Sequence, residues 1–179
     1  MIDIRTPRLV LRQWRESDLE PFAALNADPE VMRHFPAPFT REQSDALAER
    51  HRSRIAERGW GRWAVEVAHS GEFIGAVGLE KTAFRAHFTP AVEVGWRLAR
   101  SHWGRGYATE AARAAIAFGL DELRLDEIVS FAPVANDRSR RVMERLGMAH
   151  DPADDFDHPQ LPPDDRLRPH VLYRVRKGG

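Results

Sequence analysis

The stretch "EVGWRLARSHWGRGYATEAARAAIAFG", residues 93–119, decides the fold. It opens as a strand, crosses a short segment with two glycines and runs into an alanine-rich helix. "AVEVGWRLA" (91–99) is β-patterned, and Gly95 inside it marks a bulge or a close approach to the backbone by a ligand. From about Gly106 to Gly119, Ala108, Ala111, Ala112, Ala115 and Ile116 recur on one helical face. Side chains that small let a helix lie very close to a sheet. "EIVSFAPVAN" (127–136) follows as a nearly unbroken apolar run, the pattern of a strand covered on both faces. Strand, loop, helix and strand make one βαβ crossover, so 91–99 and 127–135 are expected to be parallel neighbours.

On the N-terminal side, "RLVLRQW" (8–14) alternates as a strand. Ser17 and Glu20 have capping-box spacing, with a short helix after them. "DPEVMRHF" (28–35) starts a further helical turn. Thr40 and Gln43 form a second capping box before a charged helix ending near Glu57, a surface helix or part of a mobile lid. "WGRWAVEVAH" (60–69) and "FIGAVGLEKTAF" (73–84) flank the tight turn "SGE" as a hairpin. On the C-terminal side, "DRSRRVMERLG" (137–147) is a helix with Gly147 past its end. Residues 150–169 are aperiodic and expected to be loop, and "HVLYRVR" (170–176) is a final strand. The order predicts an α/β (α+β) fold. Its mixed, mostly antiparallel sheet should have about six or seven strands, with helices on both faces. No repeat, linker or second domain is visible, so residues 1–179 are expected to form a single domain.

Lys plus Arg and Asp plus Glu are both 27, so net charge gives no general pull toward nucleic acid or anionic lipid. No apolar run approaches the roughly 20 residues that span a bilayer. "MIDIRTPRLVLRQW" carries charge inside its apolar stretch, unlike a signal peptide. The expected place is the cytoplasm, with no membrane or nucleic-acid partner, as a monomer or homodimer. The chain has no cysteine, which excludes disulfides, thiolate metal sites and cysteine nucleophiles.

The glycines of "HWGRGYATEAAR" (102–113) first suggest a dinucleotide fingerprint. That pattern needs a third glycine where Thr109 stands, and an acidic residue at the end of the next strand, where Pro133 to Asn136 stand. A nicotinamide oxidoreductase is therefore rejected, and no Walker lysine is present. Two readings remain open: a glycine turn entering a helix, or a loop whose N–H groups and helix N-terminus hold a diphosphate, with Arg105 adding charge.

The surrounding segments resemble the GNAT superfamily of N-acetyltransferases, in particular the branch that acetylates ribosomal-protein N-termini. "TPRLVLRQWRESDLEPFAALNADPEVM", "EVGWRLARSHWGRGYATEAARAAIAFG" and "NDRSRRVMERLGM" carry the likeness, in that order, over nearly the whole chain. The family's pyrophosphate loop, Q/R-x-x-G-x-G/A, aligns with Trp103-Gly104-Arg105-Gly106-Tyr107-Ala108. Trp103 departs from the general pattern but suits the branch, which often has an aromatic there. The resemblance implies a GNAT fold and acetyl-CoA as co-substrate. Backbone N–H groups of about residues 104–109, Thr109 included, would hold the pyrophosphate. The strand at Trp96, Arg97 and Leu98 would pair with the amide-rich pantetheine arm.

Acetyl transfer to an amine requires a base, a stabilised thioester oxygen and a tolerated leaving thiolate. Glu93 is the base candidate, the branch's usual one; its other reading is a strand glutamate in an ion pair. Asn136 would bond pantetheine, cap the following helix, or both. Many superfamily members place an acidic tyrosine where Met143 stands. Ser139 is what the branch offers there instead, to hydrogen-bond the thiolate, unless it is only a first-turn helix serine. Tyr173 is a second, more distant acid. The Asp/His-rich stretch from His150 to His158 fits neither an EF-hand nor a zinc motif, so no metal is expected. Of Arg138, Arg140, Arg141 and Arg145, one or two are expected to reach coenzyme phosphates. Among Trp14, Phe35, Phe39, Trp60, Trp63, Phe84 and Trp96, two or three are expected to touch substrate. The leading function is acetyl transfer from acetyl-CoA to a primary amine, on a protein N-terminus or a small molecule. The alternative is a non-catalytic acyl-CoA-binding regulator.

Overall fold

The computed structural model describes residues 3–178; Met1, Ile2 and Gly179 lie outside the described residues. One twisted sheet of nine strands runs through them, in the order β1-β2-β3-β4-β5-β6-β9-β7, with β8 also on β9. Six strands carry most of it: β2 (Leu9–Arg12), β3 (Arg62–Val67), β4 (Phe73–Lys81), β5 (Val92–Leu98), β6 (Glu127–Pro133) and β9 (Pro169–Arg176). The other three, β1 (Ile4–Arg5), β7 (Ala149–His150) and β8 (Phe156–Asp157), are two-residue additions at its margins. The segment expected as featureless loop from 150 to 169 therefore contains β8 and a single 3-10 turn at Pro152–Asp154.

Only β5 and β6 are parallel, and their ladder is a single bridge, Glu93 to Val129. Every other pair is antiparallel. Beyond Glu93 the two strands diverge. Ser130 sits in the fork and donates from Oγ to the Val94 carbonyl at 3.0 Å.

Helices cover both faces, and strand alternation separates them. The charged helix α2 (Arg41–Arg58) meets the sheet through Arg54, which pairs with Glu80 of β4 at 2.6 Å. The next residue of β4, Leu79, points the other way, toward α3 (Tyr107–Asp121). α3 lies as close as its composition suggests: Ala111, Ala112 and Ala115 have no exposed surface. A Cβ on Gly119 would come within 2.6 Å of Ile128 and 2.9 Å of Leu79. α1 (Leu19–Ala27) packs beside α2, and α4 (Asp137–Arg145) follows β6.

The Thr40–Gln43 capping box is formed, and Gly59 closes α2 at φ 80° after Arg58, one residue past the Glu57 expected to end the helix. α2 is therefore a packed surface helix, with Ser44, Ala48, His51 and Ile55 buried. The Ser17 box is not formed. Ser17 is exposed, and buried Asp18 accepts from the Arg15 N–H at 2.8 Å. The same carboxylate holds Arg12 at 2.7 and 2.9 Å, and Arg12 also reaches Glu66 at 2.7 Å. Losing Arg12 would leave the buried Asp18 carboxylate uncompensated, at about 3–5 kcal/mol.

Candidate active site

The fork between β5 and β6 opens into a cleft of about 1240 Å³. Glu93, Trp96, Arg97, Leu98, Trp103, Gly104, Gly106, Tyr107, Ala108, Thr109, Asn136 and Ser139 all line it. Arg105, in the same loop, is not among the lining residues; its carbonyl accepts from Arg8 Nη1 at 3.0 Å. The other sequence-predicted residues converge on one cavity, built in two different ways.

One half is built from backbone. Gly104 and Gly106 have φ of 74° and 79°, a left-handed conformation open to glycine and costly for other residues. A Cβ on Gly104 would meet nothing within 4 Å, so the requirement there is conformational rather than steric. Gly106 stands at the N-cap of α3 with no side-chain cap, which leaves the helix's first N–H groups free for a ligand. The loop is braced from the N-terminal strands. Glu110, in the first turn of α3, accepts from Thr6 Oγ1 at 2.6 Å and from Arg8 Nε at 2.6 Å. Burial favours protonation of this carboxyl, and the Thr6 and Arg8 bonds outweigh it, so its pKa is lowered. The Arg8 guanidinium also lies over the Tyr107 ring at 4.8 Å. Sequence reasoning missed this brace; an acidic residue in a helical first turn is too common a feature to announce it.

The edge of β5 completes that half. Ala99 N–H bonds to the Ile74 carbonyl at 2.8 Å, which fixes the alternation of the antiparallel ladder. Odd-numbered residues of β5 turn their backbone polar groups to β4, and Val94, Trp96 and Leu98 turn theirs to the fork. Val94 carbonyl is taken by Ser130, and Leu98 carbonyl accepts from the Trp103 indole at 2.9 Å. Trp96 lies between them, beyond the one β5–β6 bridge; it is paired with Val77 of β4 on one side and has no β6 partner among the described residues on the other. The predicted 96–98 stretch therefore divides. Trp96 presents its backbone to the cleft, whereas Arg97 spends its backbone on β4 and sends its side chain elsewhere. Trp103, the departure from the general loop pattern, ties the loop to the end of β5. Arg138 covers its ring at 4.3 Å, which links the two walls of the cleft.

The profile of the Acetyltransferase (GNAT) domain matches residues 8–149. The chain belongs to the GNAT acetyltransferase family. Bacillus subtilis YkkB is 32% identical over 144 residues, covering 80% of this chain and 83% of its own. The N-acetyltransferase YnaD, also from Bacillus subtilis, is 30% identical over 146 residues, covering 81% of each. An acetyltransferase structure from Agrobacterium tumefaciens superposes with a TM-score of 0.78 at 27% identity, over 99% of this chain and 95% of that one. The protein is accordingly an acetyl-CoA-dependent acetyltransferase, and its glycine loop, helix N-terminus and open β5 edge fit a coenzyme's diphosphate and amide arm.

The other half of this acetyltransferase's cleft is built from side chains. Glu93, at the last bridge before the fork, is mostly buried and accepts from Arg62 Nη2 at 2.6 Å. Burial raises its pKa above the usual carboxylate range, Arg62 opposes the rise, and nearby Glu80 adds to it. Arg62 lies over Gly95, where a Cβ would sit 2.0 Å from Nη1. Gly95 is thus not a bulge, because the β4–β5 register is unbroken there; its missing side chain makes room for an arginine, and the residue lines the cleft. Arg97 donates to Asn26 Oδ1 at 2.7 Å, and Asn26 donates onward to Ser44 Oγ at 2.9 Å. That relay joins β5, α1 and α2, and nothing in the local sequence pattern signals it.

On the β6 side, Asn136 Oδ1 accepts from Ser139 N–H at 3.2 Å and caps α4. The cap leaves Asn136 Nδ2 and Ser139 Oγ without protein partners among the described residues. Met143, in the position of the missing tyrosine, is fully buried. Tyr173 does not line the cleft. Its hydroxyl is 3.4 Å from Glu144 Oε1 and its ring stacks on His150 at 4.8 Å, so it is no acid for this site. Of the nominated aromatics, Phe35 and Trp96 line the cleft, while Trp14 and Trp63 are core. Phe22, Phe131 and Trp103 line it as well. Among the described residues no group of three or more His, Asp or Glu could hold a metal, and no helix is long and apolar enough to cross a membrane. In the 150–169 segment Asp154 is 2.7 Å from Arg174 and Asp155 is 2.8 Å from His150.

Proposed function

We propose that this acetyltransferase delivers its acetyl group directly to a primary amine, with Glu93 as the base. The observation that carries the reading is the position and state of Glu93. It is a mostly buried carboxylate whose pKa is raised first by burial, at the fork where the coenzyme half and the side-chain half of the cleft meet. A carboxylate in that state accepts protons closer to neutral pH than an exposed one. Acetyl-CoA supplies a thioester acetyl group. The amine arrives protonated, loses one proton to reach its nucleophilic form and a second as the C–N bond forms and the C–S bond breaks. One of those protons leaves with the coenzyme as its thiol, and the other passes through Glu93 to solvent. With no cysteine in the chain, no cysteine acyl-enzyme precedes transfer.

Two further roles complete the reading. Asn136 Nδ2, left over from capping α4, donates to an amide carbonyl of the pantetheine arm, which pairs with the Trp96 backbone. Ser139 Oγ, in the first turn of α4, hydrogen-bonds the departing sulfur, in the absence of a tyrosine at position 143. The loss of that tyrosine also favours a second reading, a protein that binds acyl-CoA without turnover.

A thiol-release assay with acetyl-CoA, run against small amines and N-terminal peptides, separates the two. The expected result is amine-dependent release of coenzyme thiol. A rise in melting temperature with acetyl-CoA, with no amine ever acetylated, would establish the binder instead.

A further inference from the structure

The side-chain half of the cleft holds more positive charge than its carboxylates neutralise. Arg50, Arg54, Arg62 and Arg97 surround buried His51, whose pKa falls well below the usual histidine value, first through burial and then through these four arginines. Glu80 is engaged by Arg54 at 2.6 Å and Arg58 at 3.9 Å, and Glu93 by Arg62 at 2.6 Å. Arg50 and Arg97 also line the cleft, and neither has a carboxylate within ion-pair distance among the described residues. Arg50 is exposed, whereas Arg97 is partly buried. Its one side-chain hydrogen bond is to the neutral amide of Asn26.

Burial, with repulsion from Arg62 added, lowers the Arg97 pKa to about 10, so the group remains charged at neutral pH. An uncompensated guanidinium in such a place is costly unless something pairs with it. The surroundings are arranged for such a partner. Phe35 and Phe39 lie 4.2 and 5.3 Å from the guanidinium carbon, covering it with ring surface. The Asn26–Ser44 relay fixes its orientation. N–H groups not spent on Asn26 remain at its edge, and a planar fork of that kind matches a carboxylate. Arg97 also shares a face of β5 with Glu93, since both are odd-numbered residues of one strand.

We infer that Arg97 binds a carboxylate carried by the acceptor, which is therefore a small aminocarboxylate such as a free amino acid. The inference rests on the amine-acetylation reading above and narrows it. A polyamine would face a cluster of like charges here, and a peptide N-terminus has its α-carboxyl tied up in an amide bond.

The test compares matched pairs in the thiol-release assay: aminocarboxylates of increasing amine-to-carboxylate spacing, and the same molecules as amides. The expected result is at least a tenfold preference in kcat/KM for one or more carboxylates over the matching amides. Arg97→Gln should erase that preference through acceptor KM while leaving the acetyl-CoA KM unchanged, and Arg97→Lys should keep part of it. Amides, spermidine, N-terminal peptides or phosphoethanolamine turned over as fast as the best carboxylate would overturn the inference. The matched pairs in the unaltered protein decide the matter even if Arg97→Gln fails to fold. A second readout separates this inference from the function it narrows. With CoA present, N-acetylamino acids should raise the melting temperature more than their amides do, and Arg97→Gln should lose the difference. That result without any turnover would keep the carboxylate site and remove the transfer reading. No difference between N-acetylamino acids and their amides would remove the carboxylate site.

Discussion

The two halves of the cleft are made of different materials. Toward the N-terminus of α3, the surface is backbone: left-handed Gly104 and Gly106, the free first turn of the helix and the unpaired edge of β5 at Trp96. Toward α1 and α2, it is charged side chains: Glu93 against Arg62, and Arg97 held by Asn26. A backbone surface suits a ligand part that never changes, such as a coenzyme's diphosphate and amides, because N–H and C=O groups recognise it whatever the local side chains are. A side-chain surface can be altered residue by residue and suits an acceptor that differs between relatives of one fold. On the proposed function, donor and acceptor recognition are separable here, and the variants below probe that separation.

Glu93→Gln should have the largest effect. It removes the proposed base but keeps the shape, so kcat/KM for the acceptor should fall by about a hundredfold or more. The acetyl-CoA Kd, from calorimetry, should stay within twofold. Gly106→Ala comes next and acts on the other half. Forcing a Cβ into a φ of 79° costs about 1–2 kcal/mol, which should weaken acetyl-CoA binding by roughly tenfold while leaving acceptor KM unchanged. The smallest change is expected from Arg62→Gln. Arg62 opposes the rise that burial gives the Glu93 pKa, so removing it should raise that pKa further. With Glu93 as the proposed base, activity needs the ionised carboxylate and is lost as pH falls through its pKa. The acid limb of the kcat/KM profile should therefore move to higher pH. An acid limb that stays in place or moves down would mean that Glu93 is not the titrating base.

The same division explains what could be read from the sequence. The glycine loop, the alanine face of α3, the βαβ crossover and the asparagine after β6 are local patterns with a fixed physical meaning, and they mark the backbone half of the cleft. The acceptor half depends on contacts between residues far apart in the chain. Arg97 meets Asn26 across 71 positions and Arg62 meets Glu93 across 31, which no local periodicity reveals. Gly95 shows the limit clearly: its lack of a side chain was legible, but the arginine that fills the space was not. Arg12 behaves the same way, since in an alternating strand it looks like a solvent-facing charge, yet Asp18 and Glu66 bury it. Two-residue strands such as β7 and β8 are too short to carry any period, so they were absorbed into the expected loop.

The separation of the two halves has one direct test, a double-mutant cycle on acetyl-CoA affinity. Kd is measured for the unaltered protein, Glu93→Gln, Gly106→Ala and the double variant. Glu93 and Gly106 share no hydrogen-bond partner, so the roughly tenfold weakening from Gly106→Ala should be the same in both backgrounds within about twofold. A penalty that changes fivefold or more with Glu93 replaced would contradict the division of the cleft into independent donor and acceptor halves.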